Sequence, residues 1–217
     1  MSTPEAVVVI DVLRAFSTAA YAAQAGASLI LLAGSTDAAQ RLQRERPDAL
    51  TLTDGSRRNG IDLVNSPAMI SSADLAGRAL IMTTTNGTPA ALAAGEAAVL
   101  LCASFVNAAA TVGYLRAVGI DTVDYIASGG PDADEDHACA DYLAELLTDP
   151  AADPGPYLAR VSASSARAVL DRRVAAGDTG VHPDDVSYCL RANSVPIALV
   201  AAPAAESVML VGQRIAG

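Results

Sequence analysis

Short apolar runs recur along this chain, and longer stretches of helical character separate them. The runs Ala6–Ile10, Ser28–Leu32, Ala79–Met82, Ala97–Cys102 and Thr122–Ala127 are largely unbroken by polar residues. An alternating strand buries one face, whereas a continuously apolar strand buries both. Between them, Ala15–Ala25, Asp37–Arg46, Thr88–Ala94, Asn107–Val118 and Glu135–Leu147 read as helices. This order predicts an α/β fold, with a mostly parallel sheet covered by helices in three layers. In such sheets ligands collect at the carboxyl ends of the strands.

The pattern breaks at Thr148–Pro156, where three prolines and a glycine fall within nine residues. Beyond it a helix is expected over Tyr157–Ala176, with Arg160, Arg167, Arg172 and Arg173 on its surface. A turn at Gly177–Pro183, a short helix over Asp184–Arg191 and strands at Pro196–Ala201 and Ser207–Val211 follow. The break divides the chain into a core over residues 1–147, holding most of the site, and a segment 148–217 that completes the fold. Two subdomains are compatible with this division.

Composition narrows the function. Hydrophobic residues make up 52% of the 217 and charged residues 18%, which is core-forming. Aromatics are only 4%, so the core is built mainly from Ala, Val, Leu and Ile. A formal charge of −10 argues against nucleic acid or an anionic membrane as partner. A small anionic ligand would then need local positive charge from Arg, helix N-termini or a divalent metal. The three cysteines, Cys102, Cys139 and Cys189, show no C-x-x-C spacing and fit a reducing compartment. No basic stretch precedes the short apolar run Val7–Ile10, so a soluble, cytoplasmic protein is expected. The Ala-rich surface allows a homodimer without demanding one.

Five segments carry candidate chemistry. In Val7–Thr18 a buried strand ends at Asp11, and Arg14 lies in the turn before a helix. Asp11 is a good helix cap. Arg14, however, is a cation near a helix N-terminus, so it needs a carboxylate or bound anion beside it. Asp11 thus becomes a candidate metal ligand or nucleophile, and Arg14 a candidate clamp on an anionic oxygen. The strand Ala79–Met82 ends in Thr83, Thr84, Thr85, Asn86, Gly87 and Thr88, with Pro89 next. Thr88 as cap explains one threonine; the remaining hydroxyls, amide and glycine suggest an anion cradle.

The other three segments are less specific. Ser66 followed by Pro67 is a strong helix start, with Asp62 and Asn65 left as polar loop residues beside Arg57 and Arg58. After the next strand, Ser104 or Asn107 either caps a helix or meets a ligand. In Ser128–His137, clustered acids repel one another unless protonated or bridged by a cation, and a hard divalent ion suits Glu135 and Asp136. His137 and His182 read as surface residues, and Cys102 as an inert buried thiol.

Together these segments resemble the 2-phosphosulfolactate phosphatase family. The resemblance rests on Val9-Ile-Asp11-Val-Leu-Arg14-Ala with Ser17-Thr18, Asp62-Leu-x-Asn65-Ser66-Pro67, Thr85-Asn86-Gly87-Thr88, Ser104-Phe-x-Asn107, and Glu135-Asp136 with Cys139. A weaker match runs from Asp185-Val-x-x-Cys189-Leu to Val195-Pro196. The resemblance covers most of the chain. It implies a Mg²⁺-dependent phosphoric monoester hydrolase acting on 2-phosphosulfolactate, on the route to coenzyme M. On that basis Asp11, Glu135 and Asp136, with Asp54, would hold Mg²⁺. Arg14 and the stretch Thr85, Asn86, Gly87 and Thr88 would bind the phosphoryl oxygens. Ser104 and Asn107, with Asn65 and Ser66, would bind the rest of a small anionic phosphate ester. Asp54, Val64 and Asn193 depart from the family pattern, and they motivate the alternative of a non-catalytic binder of small organic anions.

Overall fold

The computed structural model describes residues 5–56, 60–94, 97–204 and 207–215. Its strands are β1 (Ala6–Ile10), β2 (Leu29–Ala33), β3 (Leu50–Thr53), β4 (Leu63–Val64), β5 (Ala79–Thr83), β6 (Val99–Ala103), β7 (Val123–Ala127), β8 (Ile197–Ala204) and β9 (Ser207–Arg214). Its helices are α1 (Ala15–Gln24), α2 (Thr36–Glu45), α3 (Pro67–Ile70), α4 (Gly87–Ala93), α5 (Ala108–Ala117), α6 (Asp134–Thr148), α7 (Gly155–Ser162), α8 (Ser165–Ala175) and α9 (Asp185–Cys189). The α/β expectation therefore holds: one nine-stranded, mixed but mostly parallel sheet is covered by helices.

The strand order is β4-β3-β5-β2-β9-β8-β6-β1-β7. A parallel group, β4-β3-β5-β2, lies on one side, and a second, β6-β1-β7, on the other. The antiparallel hairpin β8-β9 joins them through the middle, pairing Ile30 with Leu210 and Leu101 with Val200. Because all three of these central pairings are antiparallel, the two parallel groups run in opposite senses.

One hydrophobic cluster contains side chains from both groups and from α1. Phe16, Ala19 and Ala20 of α1 pack with Val7, Val9, Leu32, Leu80, Met82 and Leu199. The sheet therefore wraps around α1 and does not lie flat. The opposite face is covered separately, by α5 and α6 over Val8, Ile10 and Leu101, and by α2 over Leu31 and Ile81. Each large apolar side chain buried in this way contributes roughly 1.5–3 kcal/mol. Small residues on α1 let the helix sit close to strands on both sides, and Ala15, Ala19, Ala20 and Ala22 are all buried.

Three sequence expectations change. The helix expected over Tyr157–Ala176 is two helices, broken at Ala163 and Ser164. Ser164 adopts extended backbone, and its hydroxyl accepts the Arg167 N–H at 3.1 Å, which starts α8 as a new helix. Thr88 is not the cap of α4: Asn86 holds that position without a side-chain bond, and Thr84 Oγ1, from before the helix, accepts the Thr88 N–H at 3.0 Å. The strands β3 and β4 had no counterpart among the apolar runs. The alternating Leu-Thr-Leu-Thr of β3 lacks a continuous apolar signal, and β4 is only two residues long. Arg57 and Arg58 lie outside the described residues.

Candidate functional site

The curl of the sheet brings the carboxyl ends of β1, β3, β5 and β7 together. Asp11 directly follows β1, Asp54 follows β3, Thr84 and Thr85 follow β5, and Ser128 follows β7. Gly87 lies so close to Asp11 that an added Cβ would fall 2.7 Å from Asp11 Oδ2 and 2.7 Å from the Ala15 methyl. Only glycine permits this approach of the two strand ends.

Asp11 is nearly buried, at 7% exposure. Its Oδ1 accepts the Ala15 N–H at 2.8 Å, so the capping role is real. Its Oδ2 accepts from the Ser128 hydroxyl at 3.0 Å. The same hydroxyl lies 3.1 Å from Asp136 Oδ2. Asp136 also accepts the Val12 N–H at 2.8 Å and the Gly129 N–H at 3.3 Å. One serine proton cannot serve both carboxylates at once. The second contact needs a proton on one carboxyl, or a cation between them.

The electrostatics agree. Burial pushes the Asp11 carboxyl up to about 6, with the charges of Asp54 and Glu135 adding to the rise. Burial, then the Asp11 charge, holds Asp136 well above the usual carboxylate range. Glu135 is raised too, chiefly by burial, while the Ser164 hydroxyl and the helix backbone oppose the rise. Of the acids around the start of α6, Asp132 and Asp134 are exposed, while Glu135 and Asp136 turn inward. Glu135 Oε2 is buried without a hydrogen-bond partner.

Asp54 links the other strand ends. Its Oδ1 accepts from the Asn65 amide at 2.8 Å and its Oδ2 accepts the Thr85 N–H at 2.7 Å. Asn65 is buried, and its own Oδ1 has no hydrogen-bond partner. A cavity of about 350 Å³ opens over these groups. Asp11, Arg14, Asp54, Asn65, Thr85 and Asn86 are among the residues that line it, together with residues of α8.

Arg14 has the carboxylate partner its position called for. Its Nη1 donates to Asp185 Oδ2 at 2.5 Å and its Nη2 donates to the Gly180 carbonyl at 3.1 Å. Asp185 also accepts from the Ser66 hydroxyl at 2.5 Å and the His182 N–H at 2.9 Å. Ser66 and Pro67 start α3 as expected, with the Met69 N–H donating to Ser66 Oγ. Asp185 is thus the counter-ion that holds Arg14 at the cavity wall. The sequence placed it in a short helix and in the weaker part of the family resemblance, with no signal of its pairing to Arg14.

Other sequence candidates sit behind the cavity. Ser66, Thr88, Ser104 and Asn107 are fully buried. Asn107 Oδ1 accepts the Ser104 N–H and its Nδ2 donates to the Cys102 carbonyl, so this pair caps a tight 3-10 turn at Phe105–Asn107 and does not reach the cavity. Asp62 accepts from both the amide and the hydroxyl of Thr51, tying β3 to the loop before β4. Asn193 takes a left-handed backbone, φ 59°, which asparagine tolerates better than most residues. Its side chain accepts the Ala109 N–H and donates to the Tyr142 hydroxyl.

Among the described residues, no three His, Cys, Asp or Glu side chains are placed together to hold a metal ion. What is present is a carboxylate pair at Asp11 and Asp136 and an unpartnered buried oxygen on Glu135. Mg²⁺ is commonly held by one or two carboxylates, with water and phosphate oxygens completing its shell. The donor set fits that habit. His137 and His182 take no part, since one contacts the Gly130 carbonyl and the other is 39% exposed. No helix among the described residues is long and apolar enough to cross a membrane.

A family model described as 2-phosphosulpholactate phosphatase matches residues 1–202. The chain is 38% identical over 143 residues to a "Probable 2-phosphosulfolactate phosphatase" of Bacillus subtilis, covering 64% of this chain and 63% of that protein. A protein of the same description from Deinococcus radiodurans is 38% identical over 149 residues, covering 66% and 62%. One from Synechocystis is 37% identical over 158 residues, covering 70% and 66%. The chain thus spans somewhat less than two thirds of the length of these relatives.

Proposed function

We propose, from the premise that this chain belongs to the 2-phosphosulfolactate phosphatase family, that its cavity hydrolyses a small phosphate monoester to a hydroxy acid and inorganic phosphate. The observation that carries this reading is the Asp11–Ser128–Asp136 bridge, which Asp11 alone of the three connects to the cavity it lines. Two buried carboxylates held within reach of one hydroxyl are costly to keep charged. A divalent cation offsets that cost and draws in a phosphate group, which gives the pair a purpose beyond capping α1.

Asp11 and Asp136, with Glu135, would hold Mg²⁺, and Asp54 would extend the site towards Thr85. When bound, the ion supplies charge neutralisation at the phosphoryl oxygens. The protein's own groups do the rest. Thr85 and Asn86, both exposed to the cavity, offer donors to those oxygens. The unpartnered Asn65 Oδ1 accepts from a ligand hydroxyl or bound water. Arg14 adds positive potential at the wall while Asp185 fixes its direction. Ser66 and Thr88 act at one remove, Ser66 through its bond to Asp185 and Thr88 through its contacts with Thr84, while Ser104 and Asn107 fix a turn away from the cavity.

A second reading, that of a non-catalytic anion binder, draws on one contact. The Asp54 carboxylate already occupies the Thr85 N–H, a donor a phosphate would otherwise use. Phosphate release from an aryl phosphate, with Mg²⁺ and with chelator, separates the two readings. Metal-dependent release that disappears in Asp11→Asn supports the hydrolase. Tight binding of sulfolactate without release in either condition supports the binder.

A further inference from the structure

A third of the residues lining the cavity come from α8, a helix whose arginines suggest a solvent-facing surface when only the sequence is considered. Ala166, Val169, Leu170 and Arg173 line it at spacings of three, one and three residues, so they form one helix face. Val169 is 43% exposed although large and apolar. Beside it stands Arg173, whose side chain is 29% exposed. Apart from Arg14, which is buried on Asp185, Arg173 is the one cation among the described residues that line this cavity.

Arg173 is aimed by its stem side. Its Nε donates to Asp178 Oδ2 at 2.8 Å, which leaves the terminal nitrogens without a partner among the described residues. Asp178 is held in turn by the Gly180 N–H at 2.8 Å and the Ser56 hydroxyl at 2.9 Å. Gly180 packs so tightly on Gly55 that an added Cβ would fall 2.3 Å from the Gly55 carbonyl. The turn that carries Asp178 is therefore locked to the loop that carries Asp54. A guanidinium anchored through Nε presents a planar fork of N–H donors, well suited to a strong anion.

We propose that Arg173 is the specificity-determining residue of this cavity: it binds the second anion of the substrate, the sulfonate or carboxylate that is not transferred, while Val169 and Leu170 cover the carbon skeleton between the two anions. This inference rests on the phosphatase reading above for its substrate, but it makes a separate demand. Arg173 should matter only for ligands with a second charge.

The test compares wild type with Arg173→Met on three phosphate esters: 2-phosphosulfolactate, 2-phosphoglycolate and phenyl phosphate. The expected result is a KM about 10- to 100-fold higher on esters with a second anion, the size of a lost charge-assisted contact. The kcat should stay within about threefold, and phenyl phosphate kinetics should be unchanged. A penalty confined to 2-phosphosulfolactate identifies the sulfonate as the bound group, and a penalty shared with 2-phosphoglycolate identifies the carboxylate. Equal losses on all three esters, or none, overturn the proposal. Should wild type release no phosphate from any ester, calorimetric titration with sulfolactate still decides. Binding weakened in Arg173→Met and retained in Arg173→Lys upholds the anion site although the hydrolase reading has failed; equal affinity in wild type and Arg173→Met removes it.

Discussion

Arg14 and Asp185, 171 residues apart, form an ion pair whose side chains are 2% and 1% exposed. Removing one partner of such a pair leaves an uncompensated buried charge, which typically costs about 3–5 kcal/mol. Arg14→Ala should therefore lower stability by about that amount, read as a shift in the urea midpoint at unchanged slope. Adding Asp185→Asn should recover part of the loss, because the buried charge is gone. If Arg14→Ala unfolds at the wild-type midpoint, the pair is not a stabilising contact.

Asp11→Asn keeps an acceptor for the Ala15 N–H and removes a carboxylate that burial penalises. The sign is fixed by the direction in which burial moves the group. A carboxyl whose folded pKa stands above its unfolded value binds protons more tightly in the folded state. Its contribution is fully favourable below about 4 and is lost as pH rises through about 6. In chelator, the wild-type melting temperature should fall across this window, and the fall should be shallower in Asp11→Asn. At pH 8 the variant should be more stable by on the order of 3 kcal/mol, since each tenfold change in proton affinity corresponds to about 1.4 kcal/mol. Turnover should be abolished in the same variant.

Mg²⁺ should exchange for the proton held by the Asp11–Asp136 pair. Its affinity should then rise with pH, and binding should release protons into a weakly buffered solution. At a concentration about ten times the dissociation constant, the metal should stabilise by about 1.4 kcal/mol, a melting shift of about 3–5 °C. The shift should shrink at about pH 5, where the carboxyls are protonated, and in Glu135→Gln. A pH-independent shift would mean that the ion binds elsewhere.

Gly87→Ala probes the contact between strand ends. Its methyl would meet Asp11 Oδ2 and the Ala15 methyl at 2.7 Å. Overpacking of this kind costs about 1–3 kcal/mol. The larger effect should be on turnover, because the displaced atom belongs to the proposed metal ligand. Activity should fall by at least about tenfold while the protein remains folded by circular dichroism.

Local chemistry was legible in the sequence. Asp11, Asp54, Asn65, Thr85 and Asn86 all reach the cavity, because each lies just past a strand end or on a neighbouring loop. Ser104 and Asn107 bear the same local signature and yet cap a buried turn. Their strand, β6, pairs in parallel with β1, whose end does reach the cavity, but the Asn107 amide closes back on the Ser104 N–H and the Cys102 carbonyl. That difference is one of side-chain hydrogen bonding within the turn, which periodicity does not record.

Asp185 and Arg173 were harder to read for the same reason. Each is an ordinary helix residue until a distant segment supplies Arg14 in one case and a following turn supplies Asp178 in the other. Serine at position 164, which divides α7 from α8, was a signal within reach: it is a good helix-capping residue. The expected continuous helix carried Arg173 on a solvent face, whereas the break lets α8 turn its Ala166–Arg173 face to the cavity.

The β8-β9 hairpin has one further consequence, for synthesis in the cell. Every strand it joins is translated before it, so the group bordered by β6 cannot complete its pairing until Ala204 has emerged, nor the group bordered by β2 until Arg214 has. Until then the nascent chain presents two raw apolar borders, on β2 and β6, each a template for unwanted partners. Assembly of the whole sheet should be a late and slow event. During that interval a growing polypeptide of this kind would depend most on whatever shields it from its neighbours.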